Sequence, residues 1–194
     1  MAGLIPEWKR PIEHMRNAID PGRAGGSVSL IRRAVQDDLT AIMRIEAIPA
    51  YYTLVGSWSE AEHRQALSSP DAAYWVSTQQ SGEIEGFCIA LGLRTEHRSV
   101  ELKRIAVAVP GVGIGRRLLS TVCHALFTEY QMHRVWLDVF ERNDRARHVY
   151  HSVGFREDGL LREAVYRDGA YHSLILMSVL DREFGPLSDA SHST

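Results

Sequence analysis

The segment that most restricts the fold of this chain is Val107-Ala108-Val109-Pro110-Gly111-Val112-Gly113-Ile114-Gly115, where a β-branched run breaks into glycines. Beyond it, Leu118, Leu119, Val122 and Leu126 recur at helical spacing, which predicts an amphipathic helix from Ile114 to about Tyr130 with Arg116, Arg117, Ser120 and His124 outward. The first turn of any helix carries backbone N–H groups without intrahelical partners, and the helix dipole sets positive charge behind them. A strand–glycine–helix junction is therefore an anion cradle, and phosphates fit it. Glycine matters at this point because a Cβ would hold a pyrophosphate away from the backbone.

Two common phosphate loops do not match. A nucleotide P-loop needs Gly-Lys-Ser/Thr at the helix start, and here Arg116 and Arg117 follow Gly115. A G-x-G-x-x-G dinucleotide fingerprint could begin at Gly111-Val112-Gly113, but Arg116 stands where the third glycine belongs, although Asp138 lies near the distance expected of its ribose-binding acid. Such a turn can also serve packing alone, so a second motif has to decide.

Composition bounds the alternatives. With 194 residues, 45% hydrophobic and 24% charged, the chain reads as one soluble globular domain. Its 22 Lys+Arg against 24 Asp+Glu give a net charge of −2, so no global field favours nucleic acid or an anionic membrane, and any anion site is local. Cys88 and Cys123 sit in apolar runs and read as small core residues in a reducing compartment. There is no apolar stretch of membrane-spanning length and no signal-peptide h-region, which predicts a cytoplasmic protein. Residues 1–26, with Pro6, Pro11 and Pro21, read as an N-terminal extension, 27–181 as the domain and 182–194 as a flexible polar tail. Trp8 and Ile12 could dock on the domain or on a second subunit, which leaves a homodimer open.

Along the domain, Val28 to Arg32 reads as a strand, and Asp37 or Asp38 offers an N-cap for a helix carrying Leu39, Ile42 and Met43. The stretch from Ala50 to Ser69 carries Tyr51, Tyr52 and Trp58 and a second helix ending before Pro70. Strands are expected over Ala73–Thr78 and Ile84–Leu93, turned at Gln80-Ser81-Gly82-Glu83, then over Val100–Val109 and Arg134–Phe140. Asn143 caps a short helix that Gly154 stops, and Ser173–Leu180 is the closing strand.

The second motif is Asn143-Asp144-Arg145-Ala146-Arg147-His148-Val149-Tyr150-His151-Ser152-Val153-Gly154-Phe155. It resembles the Asn-x-x-Ala-x-x-x-Tyr-x-x-x-Gly-Phe element of the GNAT superfamily of acetyl-CoA-dependent N-acetyltransferases. Glu101-Leu102-Lys103-Arg104-Ile105-Ala106-Val107 and the glycine turn are similar to that family's fourth strand and pyrophosphate loop, with Pro110 where Gln or Arg is usual. Leu161 to Leu180 resembles the final strands of its ribosomal-protein-type and related members, so the likeness runs over about residues 28–181.

The resemblance implies an α+β fold in three α/β/α layers. Its sheet would be mixed and mostly antiparallel, of about six to seven strands, with a splay between the fourth and fifth. It further implies acetyl-CoA as co-substrate, held by Ile105, Ala106, Val107, Gly111, Val112, Gly113, Ile114, Gly115, Arg116, Arg117, Asn143 and Tyr150, and a primary amine as acceptor, on a small molecule or a protein. An alkyl amine with a pKa around 10 is protonated at neutral pH and needs a base. Glu101 is the expected base, unless it is a strand carboxylate paired with Lys103 or Arg104, and Tyr150 is the expected general acid for the CoA thiolate. Direct transfer in a ternary complex is favoured over a route through Cys88 or Cys123, since neither has an adjacent His. His148 and His151 lack the carboxylate of a known metal pattern, so no metal is expected. The first helix, Ala50 to Ser69 and the Leu161–Tyr171 connection are expected to form the acceptor pocket, with Tyr51, Tyr52 and Trp58 lining it or simply core. The alternative is an acyl-CoA-binding sensor or scaffold with this fold and no turnover.

Overall fold

The computed structural model describes residues 29–185 apart from Thr53 and Val55, with the side chains of Ala50 and Tyr52 undescribed. The expected N-terminal extension, with Trp8 and Ile12, and most of the tail lie outside the described residues. In chain order the elements are β1 (Leu30–Arg33), a 3-10 turn (Gln36–Asp38), α1 (Leu39–Glu46), α2 (Pro49–Tyr52), α3 (Glu60–Ser68), β2 (Ala72–Thr78) and β3 (Ile84–Leu91). There follow β4 (Ser99–Val107), α4 (Ile114–Thr128), β5 (Arg134–Phe140), α5 (Asp144–Ser152), β6 (Arg156–Arg167) and β7 (Ala170–Leu180). The seven strands form one sheet in the order β1-β2-β3-β4-β5-β7-β6, antiparallel except for the pair β4–β5. This is the expected mixed α+β sheet with helices on its faces.

Period-two alternation on β2 and β3 makes two cores from one sheet. Trp75, Cys88 and Ala90 face α4, joining Leu118, Leu119, Val122 and Leu126. Tyr74, Val76, Phe87 and Ile89 face α1, joining Leu39, Ile42 and Ile45. Both cysteines are fully buried, as the apolar flanks predicted. Among the described residues no helix is long and apolar enough to cross a membrane.

Three expectations need correction. Ser120 is 4% exposed rather than outward, because α4 packs on α5 as well as on the sheet, which widens its buried arc. Asp38 stands at the start of α1 without capping it; its carboxylate instead accepts the Arg32 fork at 2.6 and 3.0 Å and the Val35 N–H at 2.8 Å. The region from Leu161 to Tyr171 is a hairpin rather than a connection. Asp168 and Gly169, both at positive φ (51° and 80°), turn β6 directly into β7, and Asp-Gly is the pair that such a two-residue turn favours.

Two irregularities of β4 position the site. It pairs with β5 only from Ser99↔Arg134 to Glu101↔Trp136, and beyond that point the two strands diverge, as the expected splay requires. Within β4, Ile89 pairs with Arg104 and Ala90 with Leu102, which leaves Lys103 as a bulge. One extra residue in a period-two strand moves the following side chains to the other face. Hence Val100 and Leu102 face the α4 core, whereas Ala106 joins the α1 core and Arg104 reaches Glu46 at the end of α1.

Candidate active site

The splay opens a cleft of about 760 Å³ whose walls are β4 from Leu102 to Val107, the glycine turn, Asp138 and Val139 of β5, and α5 from Asn143 to Tyr150. Beyond Glu101 the β4 backbone has no β5 partner, so its edge is available to an extended ligand.

At the mouth of the cleft Gly111 and Gly113 adopt φ of +92° and +84°, conformations that side chains on Cβ disfavour. Gly113 is the N-cap of α4, with no side chain to accept a backbone N–H, and the first turn holds no acidic residue. Two other helix starts, those of α3 and α5, are capped by side chains. Ser59 and Glu62 form a capping box on α3, and Asn143 Oδ1 accepts the Ala146 N–H at 3.2 Å on α5. The bare end of α4 therefore opens into the cleft with its dipole uncompensated, beside Arg116. A guanidinium nitrogen of Arg145 lies 3.0 Å from where a Cβ on Gly111 would stand, so a second cation covers the turn.

Of the residues singled out in the sequence, Ile105, Ala106, Val107, Gly111, Gly113, Gly115, Arg116, Asn143 and Tyr150 converge on the cleft. Val112 projects to solvent at the turn's tip, and Ile114 is buried. Arg117 turns away from the cleft, donating to Ser29 Oγ at 2.6 Å and lying 3.8 Å from the Glu85 carboxylate. Glu101 is not among the residues lining the cleft and accepts a hydrogen bond from Lys103 Nζ at 2.9 Å. Tyr150 is 8% exposed, and burial pushes its phenol well above the ordinary range, with Cys88 and Asp138 nearby adding to the shift. The hydroxyl is thus protonated at neutral pH.

Asp138, which the sequence reading set aside with the dinucleotide fingerprint, faces the same cleft. Desolvation raises its carboxyl above the ordinary value; Lys103 opposes the shift and Glu101 adds to it. The signal was present in Val135-Trp136-Leu137-Asp138-Val139-Phe140, where a carboxylate interrupts an apolar strand. Arg145 and Arg104 were also missed, whereas Tyr51, expected to line the acceptor pocket or the core, does line the cleft. Tyr51 reaches across from α2 to donate its hydroxyl to the Val107 carbonyl at 2.5 Å, closing α2 over the end of β4.

On the α1 side a buried polar network supports β4. Glu46, 1% exposed, accepts from Arg104 Nη1 at 3.0 Å and from His63 Nε2 at 3.0 Å. Since that ring nitrogen faces a carboxylate it carries the proton, and His63 Nδ1 accepts from Tyr74, whose phenol burial and Glu46 push up to about 12. Trp58 packs against this network, with the Arg104 guanidinium stacked 4.4 Å from its ring centre. His148 lines the cleft while His151 bonds the Phe155 carbonyl and Glu157, so the two do not share a site.

Comparison with known proteins agrees with this geometry. The chain matches the Acetyltransferase (GNAT) family over residues 38–155. It is 33% identical over 89 residues to the spermidine N(1)-acetyltransferase of Vibrio cholerae serotype O1, a match covering 45% of this chain and 51% of that protein. The chain thus spans about half the length of that relative. It is 35% identical over 116 residues to the N-alpha-acetyltransferase RimI of Mycobacterium tuberculosis, covering 58% of this chain and 70% of that protein. The crystal structure of the Vibrio cholerae spermidine N-acetyltransferase in complex with CoA and spermine has the same fold. It superposes with a TM-score of 0.72 at 22% identity, over 80% of this chain and 96% of that one. The splayed strands, the bare glycine-capped helix and the family match together place this chain in the GNAT acetyltransferase family.

Proposed function

We propose that this chain is an acetyl-CoA-dependent N-acetyltransferase that transfers acetyl to a primary amine by direct attack within a ternary complex. The observation that carries the reading is the uncapped N-terminus of α4, which opens into the same cleft as a buried, protonated tyrosine and the Asp138 carboxylate. The pyrophosphate of CoA would sit on the N–H groups of Gly113 to Arg116, with Arg116 and Arg145 supplying charge-assisted contacts. The pantetheine arm would lie along the free edge of β4 at Ile105 to Val107, carrying the thioester to the base of the splay.

There the amine gives up a proton and attacks the thioester carbonyl; the tetrahedral intermediate then collapses, breaking the C–S bond. Asp138 would take the ammonium proton before attack; as the intermediate collapses Tyr150 would give its proton to the departing thiolate and take up the second proton lost by the nitrogen, so the products are the amide and CoA thiol, with one proton left on Asp138 for release to solvent. Asp138 replaces the expected Glu101 in this role, because Glu101 is held by Lys103 outside the cleft. The buried thiols of Cys88 and Cys123, both pushed up by burial, favour direct attack over an acetyl-cysteine intermediate. They also accord with the cytoplasm as the site of action.

Initial rates with acetyl-CoA and amine both varied test the reading. Intersecting double-reciprocal lines are expected, whereas parallel lines would require a covalent acetyl-enzyme and overturn the ternary complex.

A further inference from the structure

Lys9 and Lys103 are the only lysines among the 22 Lys and Arg residues of this chain, and Lys103 is the only one among the described residues. Elsewhere the cation chosen to face a carboxylate is arginine, as in Arg32–Asp38, Arg134–Asp158 and Arg147–Glu157. A guanidinium forks a carboxylate better than an ammonium does, so a partner for Glu101 does not by itself call for lysine. What lysine offers and arginine does not is a primary amine that becomes a nucleophile on losing a proton.

Lys103 stands where such an amine would matter. It lines the cleft, it is the bulged residue of β4, and it lies two residues past Glu101↔Trp136, the last pair that β4 makes with β5. Carrying that register forward sets Lys103 against Asp138, one on each wall where the strands begin to part. Its side chain is 38% exposed and its Nζ donates to Glu101 Oε1 at 2.9 Å. The Asp138 carboxyl, raised by desolvation, also responds to Lys103, which favours its charged form, and to Glu101, which opposes it. Two carboxylates and one amine therefore share the floor of the splay. A pantetheine arm laid from Val107 back to Ile105 points its thioester at this floor, where an acceptor amine has to arrive.

We propose that Lys103 is itself an acceptor, acetylated on Nζ by the acetyl-CoA bound in its own cleft. This rests on the reading that acetyl-CoA occupies the cleft. The Lys103 ammonium gives one proton to Asp138 and the free amine attacks the thioester carbonyl. As the C–S bond breaks, the nitrogen loses its second proton and the thiolate gains one through Tyr150, leaving acetyl-lysine, CoA thiol and one proton for release from Asp138. An amine already held beside the thioester needs no second encounter. The neutral amide keeps an N–H for Glu101 but removes the cation between Glu101 and Asp138.

The full chain is incubated with acetyl-CoA and no added amine, and acetyl occupancy at each lysine is followed by peptide mass spectrometry alongside thiol release. Lys9, which lies outside the described residues, serves as the reference for unassisted acetylation. Lys103 is expected to be acetylated about 10²-fold or more faster than Lys9, the advantage of a positioned amine. The rate constant is expected to be independent of protein concentration, and excess CoA to suppress it. In Lys103→Arg, which keeps the charge beside Glu101, the fast phase of thiol release is expected to vanish. Lys103 left unmodified, modified no faster than Lys9, or modified at a rate that grows in proportion to protein concentration overturns the proposal. Turnover of an added amine with Lys103 unmodified overturns it while leaving the acetyltransferase reading intact. Fast acetylation of Lys103 with no added amine turned over supports the internal acceptor and sinks the reading of a transferase for free amines.

Discussion

The two sides of β4 are built on different principles. On the α4 side the cleft is made of backbone: two positive-φ glycines, an uncapped helix end and an unpaired strand edge, all within one continuous stretch of chain. On the α1 side it is made of side chains that meet from distant parts of the sequence, Glu46, Trp58, His63, Tyr74 and Arg104, in a buried and nearly complete polar network. Backbone recognition suits a ligand common to a family, since it asks little of side-chain identity. A side-chain network can change with the acceptor while the sheet stays the same.

The contrast can be broken at single residues. The largest effect is expected at Tyr150, where Tyr150→Phe lowers kcat by about 10²–10⁴-fold, the range for losing a general acid, with acetyl-CoA affinity by calorimetry almost unchanged. Next comes Glu46→Gln, which leaves Arg104 as an uncompensated buried charge and costs about 3 kcal/mol by denaturant unfolding. Asp138→Asn is expected to lower kcat/KM by about 10²-fold. Because desolvation raises the Asp138 carboxyl, the base is protonated at higher pH than a free aspartate near 3.9, so the wild-type acid limb lies above that value. The same substitution removes that limb from the pH profile of kcat/KM.

Smaller effects separate conformation from contact. A Cβ at Gly113 meets nothing within 4 Å, so Gly113→Ala acts through its φ of +84° alone and is expected to cost about 1 kcal/mol of stability. It also weakens acetyl-CoA binding, read by calorimetry. Glu101→Gln is expected to change kcat/KM by less than about twofold, since the carboxylate is partly solvated and held by Lys103. A large loss there would return the base to Glu101 and remove Asp138 from its role.

What was legible in the sequence follows the same division. The glycine turn, the Asn143 cap and Tyr150 lie in local patterns whose spacing alone implies one face or one turn, and the strands and helices around them formed nearly where periodicity placed them. The β6–β7 hairpin was misread as a connection because β6 is an exposed edge strand, without the alternation that burial imposes, although Asp168-Gly169 marked its turn. Arg104 and Asp138 were passed over for another reason. Their roles depend on a one-residue bulge and on where two strands part, and neither leaves a period in the sequence. Arg117 shows the converse: adjacency to Arg116 suggested a shared phosphate, but successive helical residues point in different directions, and Arg117 reaches Glu85 and Ser29.

The central claim is that the bare end of α4 and the Asp138–Tyr150 pair serve one reaction. It is tested most directly by adding acetyl-CoA and a panel of primary amines to the full chain, following free thiol and acetylated amine together. The account predicts that acetyl-CoA binds and that thiol and acetyl-amine appear in equal amounts with at least one amine. Tight binding of acetyl-CoA with no thiol released by any amine would contradict it.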